Sequence, residues 1–345
     1  MELYDELQLN QAGSKKLIKE CTSIQNKLIH FAIYLFKILL TVTFCFVFVT
    51  VYSLVFANEN SIVGVVVLLY LLVFRNANFT VRTNQSIMLF ILFFSIMIVM
   101  PHLASHTSPL LGLLINGISI SLFVILGCHE PRFYNQSTLV LSYLLLYGYP
   151  VSGTLYQKRV LGLIVGCALI CLVFYFKNRH KDYPETIVSM LQAFNLKSSR
   201  SKWQLCQIGC VTLTLFVLES LGIHRAMWGA IAAMSIITPD LHLIKSRAIG
   251  RIVGNIAGIL VFSLLYYTLP PSIYTYIGVL GGIGVGLSAT YAFQAIFNTF
   301  GALAIATTSF GFYHALGLRL FTNVFAVLIA LLFCFTFYTI TKAQD

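Results

Sequence analysis

Apolar runs separated by short polar or charged breaks cover this chain from about residue 31 onward. Roughly 20 apolar residues let a helix cross a bilayer, fewer where it lies inside a bundle. The pattern predicts helical segments near 31–56, 61–74, 86–101, 108–127, 136–150 and 159–176. A polar, charged stretch follows, 177–202, and then segments near 203–222, 226–238, 248–269, 272–289, 292–311 and 317–340. The predicted architecture is all-α and integral to a membrane, with about 12 transmembrane helices. Residues 1–30 form an N-terminal cytoplasmic segment, 31–176 and 203–341 two six-helix halves, and 177–202 a basic cytoplasmic linker. The segments 61–74 and 226–238 are short for a span, and the break at Ala289–Ala292 holds almost no polar residue.

The cations sit between the runs. With the N-terminus in the cytoplasm, the inside receives Lys15, Lys16, Lys19, Lys27, Arg75, Arg82, Arg132, the six of the linker, Lys245, Arg247, Arg251 and Lys342, together with Lys37, which snorkels toward it. Outside fall Lys158, Arg159, Arg225 and Arg319, a split of 18 to 4. The positive-inside rule therefore favours an even number of helices and both termini inside. The halves also correspond: a shift of 165 residues puts Arg82 on Arg247 and Gly64 on Gly229, and an arginine opens the sixth segment of each, Arg159 and Arg319. Six is even, so the halves enter from the same side and read as parallel repeats about an axis along the membrane normal.

Composition agrees with the pattern. Charged residues are 10% of the chain, against roughly 25% in soluble domains, and the mean hydropathy is +0.87. That leaves too little polar surface to cover a soluble core. The net charge of +11 does not argue for nucleic acid, because the cations lie where a membrane protein meets anionic lipid. The first 30 residues mix both signs of charge (Lys15, Lys16, Lys19 and Lys27 beside Glu2, Asp5, Glu6 and Glu20) and have no apolar core, so no cleavable signal peptide is expected. With no organelle-targeting arm either, the expected location is a bacterial plasma membrane. Among the eight cysteines, Cys167/Cys171 and Cys206/Cys210 are spaced i,i+4, but no histidine or carboxylate joins them in a metal-like array, and small apolar helix residues is the plainer reading. No metal, cofactor or enzymatic signature is expected. The glycine-rich 278–286 lies in a spanning segment and lacks the basic residue of a phosphate loop.

The most informative stretch is 238–258. Pro239 ends the preceding helix, Asp240 caps or pairs with a cation, and the next helix begins near Ser246. Arg247, Arg251, Gly254 and Gly258 fall on one helical stripe. Glycines four apart let a neighbouring helix come close. The same stripe carries Arg251 inward, where a buried arginine needs a partner. Lys245 and Arg247 read equally as topology determinants.

"MWGAIAAMSIITPD" followed by "RAIGRIVGNIAG" resembles the signature region of the fusaric acid resistance family, the aromatic acid exporters, through Trp228, Pro239, Arg251, Gly254 and Gly258. The resemblance is good over about 203–340 and faint over 31–176, where the tryptophan is missing and Gln85 and Ser86 stand in place of the arginine and glycine. It implies export of small organic, often aromatic, anions coupled to the proton gradient. Plant malate channels look similar in their six-helix unit, so a passive anion channel is the alternative, and a non-transporting scaffold for envelope proteins is a third.

The residues are compatible with anion transport. Arginine binds carboxylate bidentately and stays charged. Arg82, Arg247 and Arg251 are candidates to gather an anion at the inner mouth, Arg159 and Arg319 at the outer, and Trp228, Tyr291, Phe293 and Phe297 to stack on an aromatic ring. Polar residues at depth are Asn116, Asn255, Gln294 and Asn298, of which Gln294 and Asn298 are the candidates to bond substrate or a second helix. Proton-coupling candidates are Glu219, Asp240, His224 and His314, with His102 and His106 also near the outer face, and no acid sits at the bilayer centre. In the linker, a short helix starting at Pro184 and Glu185 either lies on the membrane surface or is a plain tether. The expected partners are a small organic anion and the lipid bilayer. A homodimer stands as an alternative to a self-contained bundle.

Overall fold

In the computed structural model the described residues are 3–9, 11–288 and 290–342; Glu2 and Ala289, named above, lie outside them. A backbone in hydrocarbon must satisfy its own N–H and C=O groups, and a helix does so within one segment. The apolar runs accordingly become α3 to α8 and α10 to α15. In chain order the helices are α1 (Leu3–Gln8), α2 (Gln11–Glu20), α3 (Ile24–Phe56), α4 (Ser61–Phe74), α5 (Thr83–Ser105), α6 (Pro109–Gly127), α7 (Gln136–Gly148), α8 (Gly153–Asn178), α9 (Ile187–Gln192), α10 (Ser199–Ser220), α11 (Met227–Ile236), α12 (His242–Thr268), α13 (Tyr274–Leu287), α14 (Tyr291–Phe310) and α15 (Phe312–Lys342). Seven of them (α3, α5, α6, α8, α10, α12 and α15) are long and apolar enough to cross a membrane unaided.

Several boundaries differ from the sequence expectation by a turn or more, α8 starting at Gly153 rather than near 159 among them, and two are explained by their local residues. The first long helix starts at Ile24 rather than near 31, because helical propensity carries on through Lys27 and His30 after the apolar window ends. The helix after Pro239 starts at His242, not Ser246. Asp240 accepts the His242 amide at 3.0 Å through Oδ1, satisfying an orphan donor of the first turn.

The chain divides into a smaller unit (Met1–Val47 with Val253–Gly317) and a larger one (Phe48–Ile252 with Leu318–Asp345), with boundaries inside α3, α12 and α15. In the larger unit α4, α7 and α11 have 14, 13 and 10 residues. At about 1.5 Å per residue, none spans a hydrocarbon core of about 30 Å by itself. They can be short because they are enclosed: Val63, Val66, Val67 and Tyr70 of α4, Leu139, Val140, Tyr143 and Leu144 of α7, and Ala230, Ala232, Ala233 and Ile236 of α11 are all buried. Enclosed in this way, their end carbonyls and amides can be satisfied by protein groups. Longer helices turn large side chains such as Leu54, Ile91, Leu114 and Leu172 outward.

In the smaller unit the glycine stripe of α12 meets α14. A Cβ on Gly254 would stand 2.5 Å from the Ala292 carbonyl oxygen, and one on Gly258 2.7 Å from that of Ile296, so only glycine permits this approach. The N-terminal segment is pinned within this unit. Lys15 donates to the carbonyls of Leu287 (3.2 Å) and Ser288 (2.8 Å) at the end of α13, Lys37 donates to Leu9 O and Ser14 Oγ (both 2.7 Å), and His30 meets Glu6 at 2.9 Å.

The linker is not a free tether. Thr186, not Pro184, caps α9, through a reciprocal bond with Ser189. The segment is fastened to the α4–α5 loop: Glu185 O accepts the Arg82 amide at 3.1 Å, Thr80 Oγ1 donates to the Glu185 carboxylate at 3.1 Å, and Gln85 Oε1 accepts the Ile187 amide at 2.8 Å.

Candidate functional site

Three arginines lie buried in the larger unit, each 4% exposed: Arg159 in α8, Arg251 in α12 and Arg319 in α15. Removing a guanidinium from water is costly unless its donors are met. Arg251 donates Nε to Asn323 Oδ1 at 2.8 Å, and Asn323 in turn donates Nδ2 to Arg319 O at 2.8 Å. Arg319 lies over the Trp228 ring with 5.1 Å to the centroid, a cation–π contact at the start of α11. Arg159 donates Nε to Asn60 Oδ1 (3.0 Å) and Nη1 to Leu146 O (3.3 Å), which places it at the start of α4. Neither Arg159 nor Arg251 takes part in any of the ion pairs among the described residues.

The remaining sequence candidates fall elsewhere. Arg82 is exposed and Arg247 half-buried, donating to Ser235 O at 3.1 Å and lying over Tyr134, whereas Arg251 is nine residues up its helix from His242. The Trp228 ring is buried and engaged by Arg319. Gln294 is half-exposed and Asn298 exposed, so Asn298 is not at depth within its own unit. Asp240 is exposed and committed to the α12 cap. His224 and His314 are exposed, the His314 ring 5.9 Å from that of Phe310. Asn255 is buried, and neither polar atom of its side chain finds a partner. Phe293 is 54% exposed, and Tyr291 and Phe297 are half-buried.

Glu219 is in the last turn of α10 and lines a cavity of about 280 Å³ with Ser105, Thr107, Tyr147, Arg225 and Met227, among others. Arg225 donates to Gly148 O at 2.8 Å and stacks on Tyr149 at 4.2 Å.

Sequence reasoning passed over the partners. Asn323 sits four residues after Arg319 in the run RLFTNVFA, residues 319–326, and Asn60 closes the polar break before α4. An amide in an otherwise apolar helix was the available signal. Of the two i,i+4 cysteine pairs, Cys167 and Cys171 meet at 4.0 Å, whereas Cys206 meets Cys334 of α15 at 3.5 Å.

A helical membrane protein with buried arginines held by neutral partners is the class these features define. Residues 212–333 match the family described as fusaric acid resistance protein-like, which bears out the resemblance carried by Trp228, Pro239, Arg251, Gly254 and Gly258. No curated protein and no solved structure matches the chain.

Proposed function

We propose that this chain is a multi-pass transporter that exports small organic anions, aromatic carboxylates among them, across a bacterial plasma membrane, driven by the proton gradient. The observation that carries this reading is Arg251. It is an arginine buried inside a helix bundle, its Nε donates to the neutral Asn323 amide, and no ion pair among the described residues includes it, so an anion arriving there meets positive charge that no carboxylate balances. Arg159, bonded to Asn60 Oδ1 and Leu146 O, adds a second buried guanidinium with neutral partners, and the match to a resistance-protein family supports the direction. A passive channel of the same architecture is the second reading, favoured by the scarcity of acids: Glu219 is the single carboxylate in the seven long helices.

The test is efflux of benzoate, 4-hydroxybenzoate and malate from proteoliposomes, with and without a pH gradient. Saturable efflux that responds to pH and falls at least about tenfold in Arg251→Gln, a change of about 1.4 kcal/mol or more in the barrier, supports the transporter. Non-saturating, pH-independent current identifies the channel. No anion-dependent flux, or full flux in Arg251→Gln, would sink both.

A further inference from the structure

The cavity at the Glu219 end of the larger unit leads to a row of polar groups that apolar packing does not need. Tyr147 of α7 faces both the Glu219 carboxylate and Asn116 of α6. Tyr143, one turn deeper on α7, donates its hydroxyl to Asn116 Oδ1 at 2.6 Å and faces Ser119. Asn116, Ser119 and Tyr143 are all buried. Gly112 lies between the two ends of this row: a Cβ there would be 3.9 Å from Asn116 Nδ2 and 4.0 Å from Glu219 Oε2. Buried hydroxyls and amides are costly unless they bond one another. Here three helices supply groups that do so, ending on one carboxylate that lines a cavity.

We propose that this cavity is a proton-loading site in which Glu219 takes up and releases one proton and Tyr147, held by Asn116 and Tyr143, orients the carboxyl group. The proposal rests on the proton-coupled reading above and deepens it. In the loading step a hydronium in the cavity passes its proton to a Glu219 carboxylate oxygen, leaving water and a neutral carboxyl that donates to the Tyr147 hydroxyl oxygen; release reverses the step. The charged and titratable groups facing the site are Arg225 from the α10–α11 loop and Tyr147 and Tyr143 from α7. The facing part of α6 contributes Asn116 and Ser119, and α5 with its loop contributes Ala104, Ser105 and Thr107. Tyr147, Asn116 and Tyr143 are positioning residues.

Infrared difference spectroscopy on the reconstituted full chain, titrated between about pH 5 and 8 around the carboxylate and imidazole ranges, tests the site without any substrate. A protonated-carboxyl band that titrates in the wild type, disappears in Glu219→Gln and moves its midpoint by about one pH unit in Tyr147→Phe is the expected result. A structural role for Tyr147 alone would leave that midpoint in place. A titrating carboxyl band unchanged in Glu219→Gln overturns the proposal. So does an unaltered pH profile of 4-hydroxybenzoate efflux in that variant. If the wild type moves none of the three anions, the exporter reading fails, while the infrared titration still decides the proton site by itself.

Discussion

At the residue scale the buried arginines decide how the bundle tolerates charge. Arg251 was legible in the sequence, because its spacing to Gly254 and Gly258 put a cation on a packing stripe. Its partner was not: an asparagine 72 residues away becomes a neighbour only when α12 and α15 are packed. A hydrogen bond to a charged group contributes about 1.5–3 kcal/mol. Asn323→Ala should therefore lower stability by about 2 kcal/mol, read as a drop in the denaturant midpoint of the detergent-solubilised chain. The double variant Arg251→Met with Asn323→Leu should recover most of that loss, since a buried polar pair exchanged for apolar groups of similar volume is close to neutral. Equal loss in the single and double variants would show that the pair does not carry the effect.

At the element scale the apolar runs were readable because hydrocarbon forces one secondary structure on them. The linker was not, because its structure comes from a loop more than 90 residues upstream, through Thr80, Arg82 and Gln85. The dock also closes around His129 of the α6–α7 loop, whose Nε2 stands 3.2 Å from Arg200 Nη1 and 3.3 Å from the Glu185 carboxylate. Burial first, and then the Arg200 cation, lower the proton affinity of His129 below the ordinary imidazole value, against the pull of Glu185 and Glu130. A lowered folded-state pKa means the neutral ring contributes its full stability above the unfolded value near 6.5. That contribution is lost as pH falls through the folded value. Limited proteolysis within 181–197 should accelerate between about pH 7.5 and 5.5, a range that brackets the imidazole value, and His129→Gln should flatten the dependence. Faster cleavage at the higher pH would show that the His129–Glu185 pair dominates instead.

At the scale of the whole molecule, length alone gives seven crossings and the charge pattern asks for an even number. An even total of 12 requires the five other apolar helices, α4, α7, α11, α13 and α14, to cross as well, and α4 and α11 are the ones whose crossing the proposed repeat depends on. Isolated, α4 and α11 are too short to cross, at 14 and 10 residues. Enclosed, they need only carry the chain between loops that dip toward them. The contacts in the larger unit favour crossing. At one end of α11, the loop residue Arg225 bonds Gly148 at the end of α7 and Trp228 meets Arg319 early in α15; at the other, Ser235 O accepts Arg247 near the start of α12. The two halves agree in this respect, since Arg159 reaches the start of α4 as Arg319 reaches the start of α11. Parallel repeats thus remain our proposal, drawn now from matching buried contacts as well as matching sequence. In a background whose native cysteines are replaced, single reporters Glu59→Cys and His224→Cys should react with a membrane-impermeant maleimide on intact cells, and Asn76→Cys and Asp240→Cys only after lysis. Positions 59 and 76 flank α4, and 224 and 240 flank α11, so each pair asks whether one short helix crosses. Labelling of both members of a pair from the same side would make that helix re-entrant and break the even count on which cytoplasmic termini depend.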